Sequence, residues 1–436
     1  MRHIALVLIL IFVSFVGVHS QDPESLSDAW DKGRMSKIFP WDVRHADLKN
    51  YISQLAALGV SVKEVGRSNA NREIYQAEWG RGPVRVFLWS QMHGDEPTAT
   101  SALLDMFAFL QGNRELEWVR KIEAALTIRA VPMLNPDGAE IFQRRNLQGI
   151  DINRDALDLR TPEARLLKRL RDEWNPSIGF NLHNQGALTT AGKSDRQAAI
   201  SLLVVFGDEA KTLTYGHERN QRIAAAITAA LQKFIPGHIA RYSDEWTPTA
   251  FGDNFSAWGT PTILIETGAL HGKDEMFLVK MNFIAFLTAL NAIASGSERL
   301  QDPSVYLNLP ENSSGGLVDF VFRQANIIEI PEPLRITPGD ITAVRGRRRA
   351  SFTPPVTIRN IERYSTVRGL VEYDASGYNL FHRFGRTVAG ELAEFYFYRR
   401  ERQVNWASTD IAKEFPPDAI FSGGTWIKGE GLLPRR

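Results

Sequence analysis

The chain has 436 residues with 51 basic and 50 acidic side chains, an apolar fraction of 44% and no cysteine. That length and composition suit a globular protein of two or three domains with a sizeable core, and the near balance of charge gives no general reason to expect nucleic acid or an anionic surface as partner. Lack of cysteine excludes disulfides and thiol chemistry.

The N-terminus reads as an export signal. Met1-Arg2-His3 is a short basic start, Ile4 to Val18 is almost unbroken apolar sequence, and Val18-His19-Ser20 places small residues ahead of an expected cleavage before Gln21. Residues 1–20 are thus expected to be a signal peptide. Export is expected to a bacterial periplasm or the exterior, without stable membrane insertion, because no later stretch reads as the roughly 20 apolar residues of a span.

Trp41 to Leu58 reads as a helix, followed by strands near Ser61 to Val65 and Ile74 to Glu78. Val84 to Trp89 reads as a strand that runs into His93-Gly94-Asp95-Glu96. The next helix has Pro97 in its first turn and an apolar face of Ala102, Leu103, Met106 and Leu110. Another helix starts at Thr161-Pro162. Ile178 to Leu182 runs into His183, Ser201 to Phe206 is a strand, Arg219 to Phe234 a helix, Pro261 to Ile265 a strand into Glu266, and Met276 to Ala294 a helix. This alternation predicts an α/β fold: a mixed, mainly parallel sheet flanked by helices. Its domain should span 21–298. Residues 299–316 are polar and turn-rich and read as a linker, and 317–436, with short aromatic and β-branched runs, as a small mainly-β accessory domain. The basic run Arg345 to Arg349 reads as a solvated loop.

His93, Glu96 and His183 have the chemistry of zinc ligands. A histidine and a carboxylate three positions apart lie on one side of a helical turn, and a distant histidine completes the triangle while leaving a position for water. Glu266 is then spare, suited to taking a proton from that water. Any one fragment alone is more often a core residue than a ligand. Together they stand at the carboxyl ends of strands, where ligands bind in open α/β sheets.

Between the first and second ligand strands come Asn135-Pro136-Asp137-Gly138 and then Arg144-Arg145-Asn146-Leu147-Gln148-Gly149-Ile150-Asp151-Ile152-Asn153-Arg154. With His-x-x-Glu before them and a histidine and a glutamate after, this order resembles the zinc carboxypeptidase family of the carboxypeptidase A and cytosolic carboxypeptidase type. The resemblance implies one zinc per chain on His93, Glu96 and His183, with Glu266 as general base. It implies that Asn153 and Arg154 grip the free carboxylate of a peptide's last residue, that Arg144 stabilises the oxyanion, and that Asp151 orients His93 from behind. The substrate is then a peptide with a free C-terminus, a peptidoglycan stem peptide among the candidates for an exported bacterial enzyme. Two departures bear on specificity. Asn184 follows His183, as in the aspartoacylase and succinylglutamate desuccinylase branch, which keeps an N-acyl amino acid amidohydrolase as the alternative. Tyr242 is the one tyrosine between Ile239 and Glu266 that could act as the family's mobile tyrosine, in a context unlike the usual one. An inactive peptide-binding relative is the third reading.

Overall fold

The computed structural model describes residues 22–330, 333–346 and 354–435. The expected signal segment 1–20 and Arg347 to Arg349 of the basic run lie outside the described residues. Helices α1 (Pro23–Gly33) and α2 (His45–Leu58) come first. Strands β1 (Ser61–Arg67), β2 (Glu73–Gly80) and β3 (Val84–Ser90) follow, then α3 (Thr98–Gly112) and α4 (Glu117–Ala125). Next are β4 (Leu126–Val131), α5 (Pro136–Glu140), α6 (Pro162–Trp174), β5 (Ile178–Asn184), β6 (Thr190–Ala191) and β7 (Ile200–Val205). The first layer ends with α7 (Tyr215–Leu231), β8 (Ile239–Arg241), α8 (Phe251–Ala257), β9 (Thr262–Thr267) and α9 (Glu275–Ser295).

Eight strands form one mixed sheet in the order β1-β2-β4-β3-β5-β9-β7-β8. Its centre, β4-β3-β5-β9, is parallel, whereas β7 runs antiparallel to β9. Side chains alternate across these strands with period two. Val86, Leu88, Phe180, Leu182, Ile263 and Ile265 face the core that α3, α7 and α9 cover. Phe87 and Trp89 face the other way, against α6 and α8. There the rings of Trp89 and Phe255 lie 4.2 Å apart, a contact that contributes about 0.5–1.5 kcal/mol beyond its buried area. His183 and Glu266, one residue beyond Leu182 and Ile265, therefore share the sheet face of α6 and α8.

Helix α9 corrects one expectation. By length and composition it is apolar enough to cross a membrane, with a mean hydropathy of 1.7, yet 78% of that window is buried. Phe283, Ile284, Phe286 and Leu287 are all buried in the core. Covering by other helices on every side produces the same composition as a lipid environment.

Residues 299–316 do not form a free connector. Buried Tyr306 accepts a hydrogen bond from Val204 N at 3.0 Å, and strand β10 (Asn312–Ser313) pairs antiparallel with β6. Tyr306 and Leu309 join the core of the first layer, while polar neighbours bond to its edge. Beyond them lie β11 (Leu317–Glu329), β12 (Arg335–Arg345), β13 (Val356–Glu362), β14 (Arg368–Asp374), β15 (Tyr378–His382), β16 (Phe395–Arg399), β17 (Ala419–Ser422) and β18 (Thr425–Lys428). They make a second sheet, β13-β12-β11-β15-β16-β17-β18, with β14 paired to β11. Its core is aromatic: Phe322 packs on Phe395, Phe397, Phe421 and Tyr373 at 5.0–5.6 Å.

Candidate metal centre

After β3 the chain turns sharply. Gln91 adopts φ 51°, a left-handed conformation held by its own side chain, which donates to Gly94 O at 3.0 Å and accepts from Thr100 Oγ1 at 2.9 Å. His93 and Glu96 then sit on a single turn, closed by Glu96 N to His93 O at 3.1 Å, ahead of α3, so they share one side of a turn as the spacing suggested. Gly94 is required there: a Cβ would lie 2.0 Å from Gly138 C. The Asn-Pro-Asp-Gly segment thus packs backbone to backbone on the ligand turn. Asn135 Oδ1 accepts from Gly138 N at 2.9 Å and its Nδ2 donates to Met92 O at 3.2 Å. Buried Asp137 is tied to Ser68 Oγ, Ala70 N and Arg72 Nη1, each at 2.8 Å.

His93, Glu96 and His183 come together as the spacing predicted, with one ligand atom from each within 4.8 Å of the others. His93 Nδ1 is 2.9 Å from Glu96 Oε1, and His183 Nδ1 is 2.7 Å from Glu96 Oε2. The other nitrogen of His93 is committed to Asp151 Oδ1 at 3.0 Å, so Nδ1 is the atom presented to a metal. Two imidazoles and one carboxylate, all buried, are the donor set of a hydrolytic zinc site. The residues fit the ion.

Electrostatics agree with a cation site. Burial works against charge on His93, but the Glu96 carboxylate and the bond to Asp151 raise it to about 9. Burial lowers His183, with Glu96 opposing. Glu96 itself, despite burial, is held well below the carboxylate range by the two histidines. Asp151 is likewise lowered, by His93 and Arg144 against the cost of burial.

Glu266 stands beside His183 in register on β9. It is 8% exposed, and its Oε2 is buried with no hydrogen-bond partner among the described residues. Burial and then the nearby Glu96 charge push it well above the ordinary carboxylate value. A divalent cation at the three ligands acts in the opposite sense, favouring the ionised form.

A family model described as zinc carboxypeptidase matches residues 48–344, well over half of the sequence. The chain belongs to the zinc carboxypeptidase family. Carboxypeptidase 2 of Trichophyton rubrum is 32% identical over 111 residues, 26% of this chain and 20% of that protein, and carboxypeptidase 2 of Trichophyton tonsurans matches to the same extent. The chain thus spans about a fifth of the length of these curated relatives. A metallo-carboxypeptidase from Burkholderia cenocepacia aligns at a TM-score of 0.47 and 16% identity, over 58% of this chain and 69% of that one. A metallo-carboxypeptidase from Pseudomonas aeruginosa, solved with (2-guanidinoethylmercapto)succinic acid, aligns at 0.46 and 16%, over 58% and 69%.

Around the centre of this zinc carboxypeptidase family member, Arg144 is 42% exposed, with Nε on Asp151 Oδ2 at 2.9 Å and Nη1 3.1 Å from His93 Nδ1 and 3.3 Å from Glu96 Oε1. Asp151 also accepts from Asn153 N at 2.9 Å. Asn153 Oδ1 accepts from Phe251 N at 2.9 Å, which ties it to the start of α8, and Arg154 is exposed beside it. Tyr242 follows β8 and packs on Leu203, Val205 and Leu264. Burial raises its hydroxyl to about 12, with Glu266 and Glu96 adding to the shift.

Several contributors went unread in the sequence. Asn184 donates through its backbone N to Glu96 Oε2 at 3.1 Å and through Nδ2 to Thr98 Oγ1 at 2.7 Å. Thr98 in turn donates to Glu275 Oε1 at 2.6 Å. The sequence marked Asn184 by its place after His183 and by the branch that pair resembles, but not by this bonding. Gln91, Thr98 and Glu275 gave no signal.

Proposed function

We propose that the protein is a zinc-dependent carboxypeptidase that removes single residues from the C-terminus of peptides. The observation that carries this reading is Glu266: a buried carboxylate oxygen with no hydrogen-bond partner among the described residues, one strand from the His93-Glu96-His183 cluster. Zinc, when held by those three residues, supplies a water of lowered pKa and polarisation of the scissile carbonyl. Glu266 takes the proton at its free oxygen and delivers it to the leaving amine. Arg144, anchored through Nε on Asp151, points its remaining donors at the cluster and stabilises negative charge on the carbonyl oxygen. Arg154 and the Asn153 carboxamide, on the turn that Asp151 also holds, bind the substrate's free carboxylate. The planar guanidinium suits that group. Tyr242 closes on the substrate from the Leu203-Val205-Leu264 side.

The His183-Asn184 pair that kept an acyl amino acid hydrolase in view has a structural task in this chain, since Asn184 bonds to Glu96 and Thr98. It gives no separate support to that branch. Export to the periplasm or exterior belongs to the same proposal, resting on the N-terminal sequence, and would bring cell-wall stem peptides within reach.

The test joins metal analysis of the purified protein to mass spectrometry of a mixed peptide pool that includes stem peptides, with Glu266→Gln as control. One zinc per chain and ladders shortened only from the C-terminus are the expected result. Bound zinc with intact peptides and cleaved N-acyl amino acids would replace the reading with the amidohydrolase. Absence of stoichiometric zinc would leave a binding protein.

A further inference from the structure

Segment 310–313, outside the metal motifs, reaches Gln185, two residues past His183. In the sheet β9 lies between β5 and β7, so Glu266 has His183 on one side and Ser201 on the other. Two residues past His183, Gln185 reaches across β9. Its Nε2 donates to Ala198 O and Ser201 Oγ, both at 2.9 Å, and its backbone N donates to Thr267 O at 2.9 Å. The crossing passes over Gly268, where a Cβ would lie 2.2 Å from Ala198 O and 3.2 Å from Gln185 Nε2. Glu266 is therefore walled at its carboxyl-terminal side by one carboxamide.

That carboxamide is held from outside. Asn312 Nδ2 donates to Gln185 Oε1 at 3.1 Å, while β10 pairs with β6 in the loop between β5 and β7. Gly192 N donates to Glu311 O and Arg241 N to Pro310 O, both at 2.8 Å. Asp195, in the same loop, lines a cavity of about 650 Å³ with Arg323, Asp340 and Glu372 of the second sheet. The loop thus has the reaction centre on one side and the C-terminal β unit on the other.

The geometry points to Asn312 as a positioning residue for the hydrolysis proposed above: by fixing Gln185 over Gly268 it sets the end of β5 and the 185–198 loop against Glu266. The segment ahead of the C-terminal β unit then acts on turnover through the Asn312 bond to Gln185, without touching metal or substrate. The idea rests on the carboxypeptidase reading, so its test has an arm that needs no activity. Lys193 and Arg196 in the loop are exposed and offer trypsin sites.

In the full-length zinc-loaded protein, Asn312→Ala and Asn312→Asp are compared with Glu311→Ala, which removes only the surface pair with Arg241. Both Asn312 variants should be cut in the loop about tenfold faster and lose about tenfold in kcat with KM within about twofold, the scale expected when a reacting group is mispositioned. Zinc content should not change, Glu311→Ala should behave as wild type, and Asn312→Gln should recover part of kcat. Wild-type loop cleavage in the Asn312 variants, or loss of kcat equal to that in Glu311→Ala, overturns the proposal. If wild type shortens no peptide the functional reading falls, and the trypsin arm still decides whether Asn312 holds the loop.

Discussion

Asp151→Asn removes a charge behind the metal ligands while keeping the shape. In the native chain that carboxylate accepts from His93 Nε2 at 3.0 Å, from Arg144 Nε at 2.9 Å and from Asn153 N at 2.9 Å. Two opposed effects follow. Replacing the charged acceptor behind His93 with a neutral amide oxygen weakens the bond that orients the ring and raises its basicity, at a cost of about 10–100-fold in zinc affinity, or roughly 1.4–2.7 kcal/mol. Yet Asp151 is also one of the groups that raise His93 to about 9, and at pH 7 that proton competes with the metal by about two pH units, on the order of 100-fold. The variant relaxes part of that competition. Orientation should therefore be partly masked near pH 6.5 and fully visible near pH 9, where His93 loses its proton in either protein. Zinc affinities from chelator competition across this range should give a wild-type to variant ratio that rises with pH toward the 10–100-fold limit. A ratio that is flat near one, or that falls with pH, would refute the assigned role of Asp151.

The remaining expectations concern the same centre. Glu266→Gln should retain zinc and lower kcat by about 10²–10⁴-fold, as loss of a positioned proton acceptor does; full activity would remove Glu266 as the base. Arg154→Ala should weaken recognition of the free C-terminus by about 1.5–3 kcal/mol, the scale of a charged hydrogen bond, read as a higher KM for peptides but not for their C-terminal amides. Gly94→Ala should destabilise the fold by about 1–3 kcal/mol or more through overpacking against Gly138, measured by denaturant unfolding. Metal-free protein should lose thermal stability as pH rises from 6.5 to 9. His93, raised to about 9 in the folded state, contributes stability that is complete below its unfolded value and lost as pH passes through the folded one. Glu266, raised well above the carboxylate range by burial, acts in the same direction. A midpoint constant over that interval would contradict the His93 shift.

Residues whose chemistry is local were legible in the sequence. The strands announced themselves as apolar runs; the parallel register sets His183 beside Glu266, and His93 follows on the turn just past the end of β3. Thr161 accepts from Ala164 N at 3.0 Å as the helix cap its position suggested. Less legible were residues whose work depends on a distant partner. Asn-Pro-Asp-Gly stood out as a motif, but its task, packing Gly138 against Gly94 and burying Asp137 under Arg72, needs the fold. The segment 299–316 has the composition of a linker because its contacts are mainly polar, and composition reports burial far better than it reports hydrogen bonding.

Glu96 and Glu266 show why such a site needs its metal to be consistent. Both carboxylates are buried on one side of the sheet, and each raises the cost of charging the other. His93 and Arg144 answer only part of that imbalance, since His183 is driven toward its neutral form by burial. Glu96 takes the charge, held by His93 and His183, while burial and that charge drive Glu266 toward its protonated form. A divalent ion on the three ligands supplies the positive charge that lets both be ionised, so metal binding and the readiness of Glu266 to accept a proton are one event. Zinc binding should accordingly release a proton from Glu266 in addition to any displaced from His93, and Glu266→Gln should lower the number of protons released by calorimetry in buffers of different ionisation enthalpy. Equal proton release from the two proteins would separate the base from the ligands and break this account of the centre.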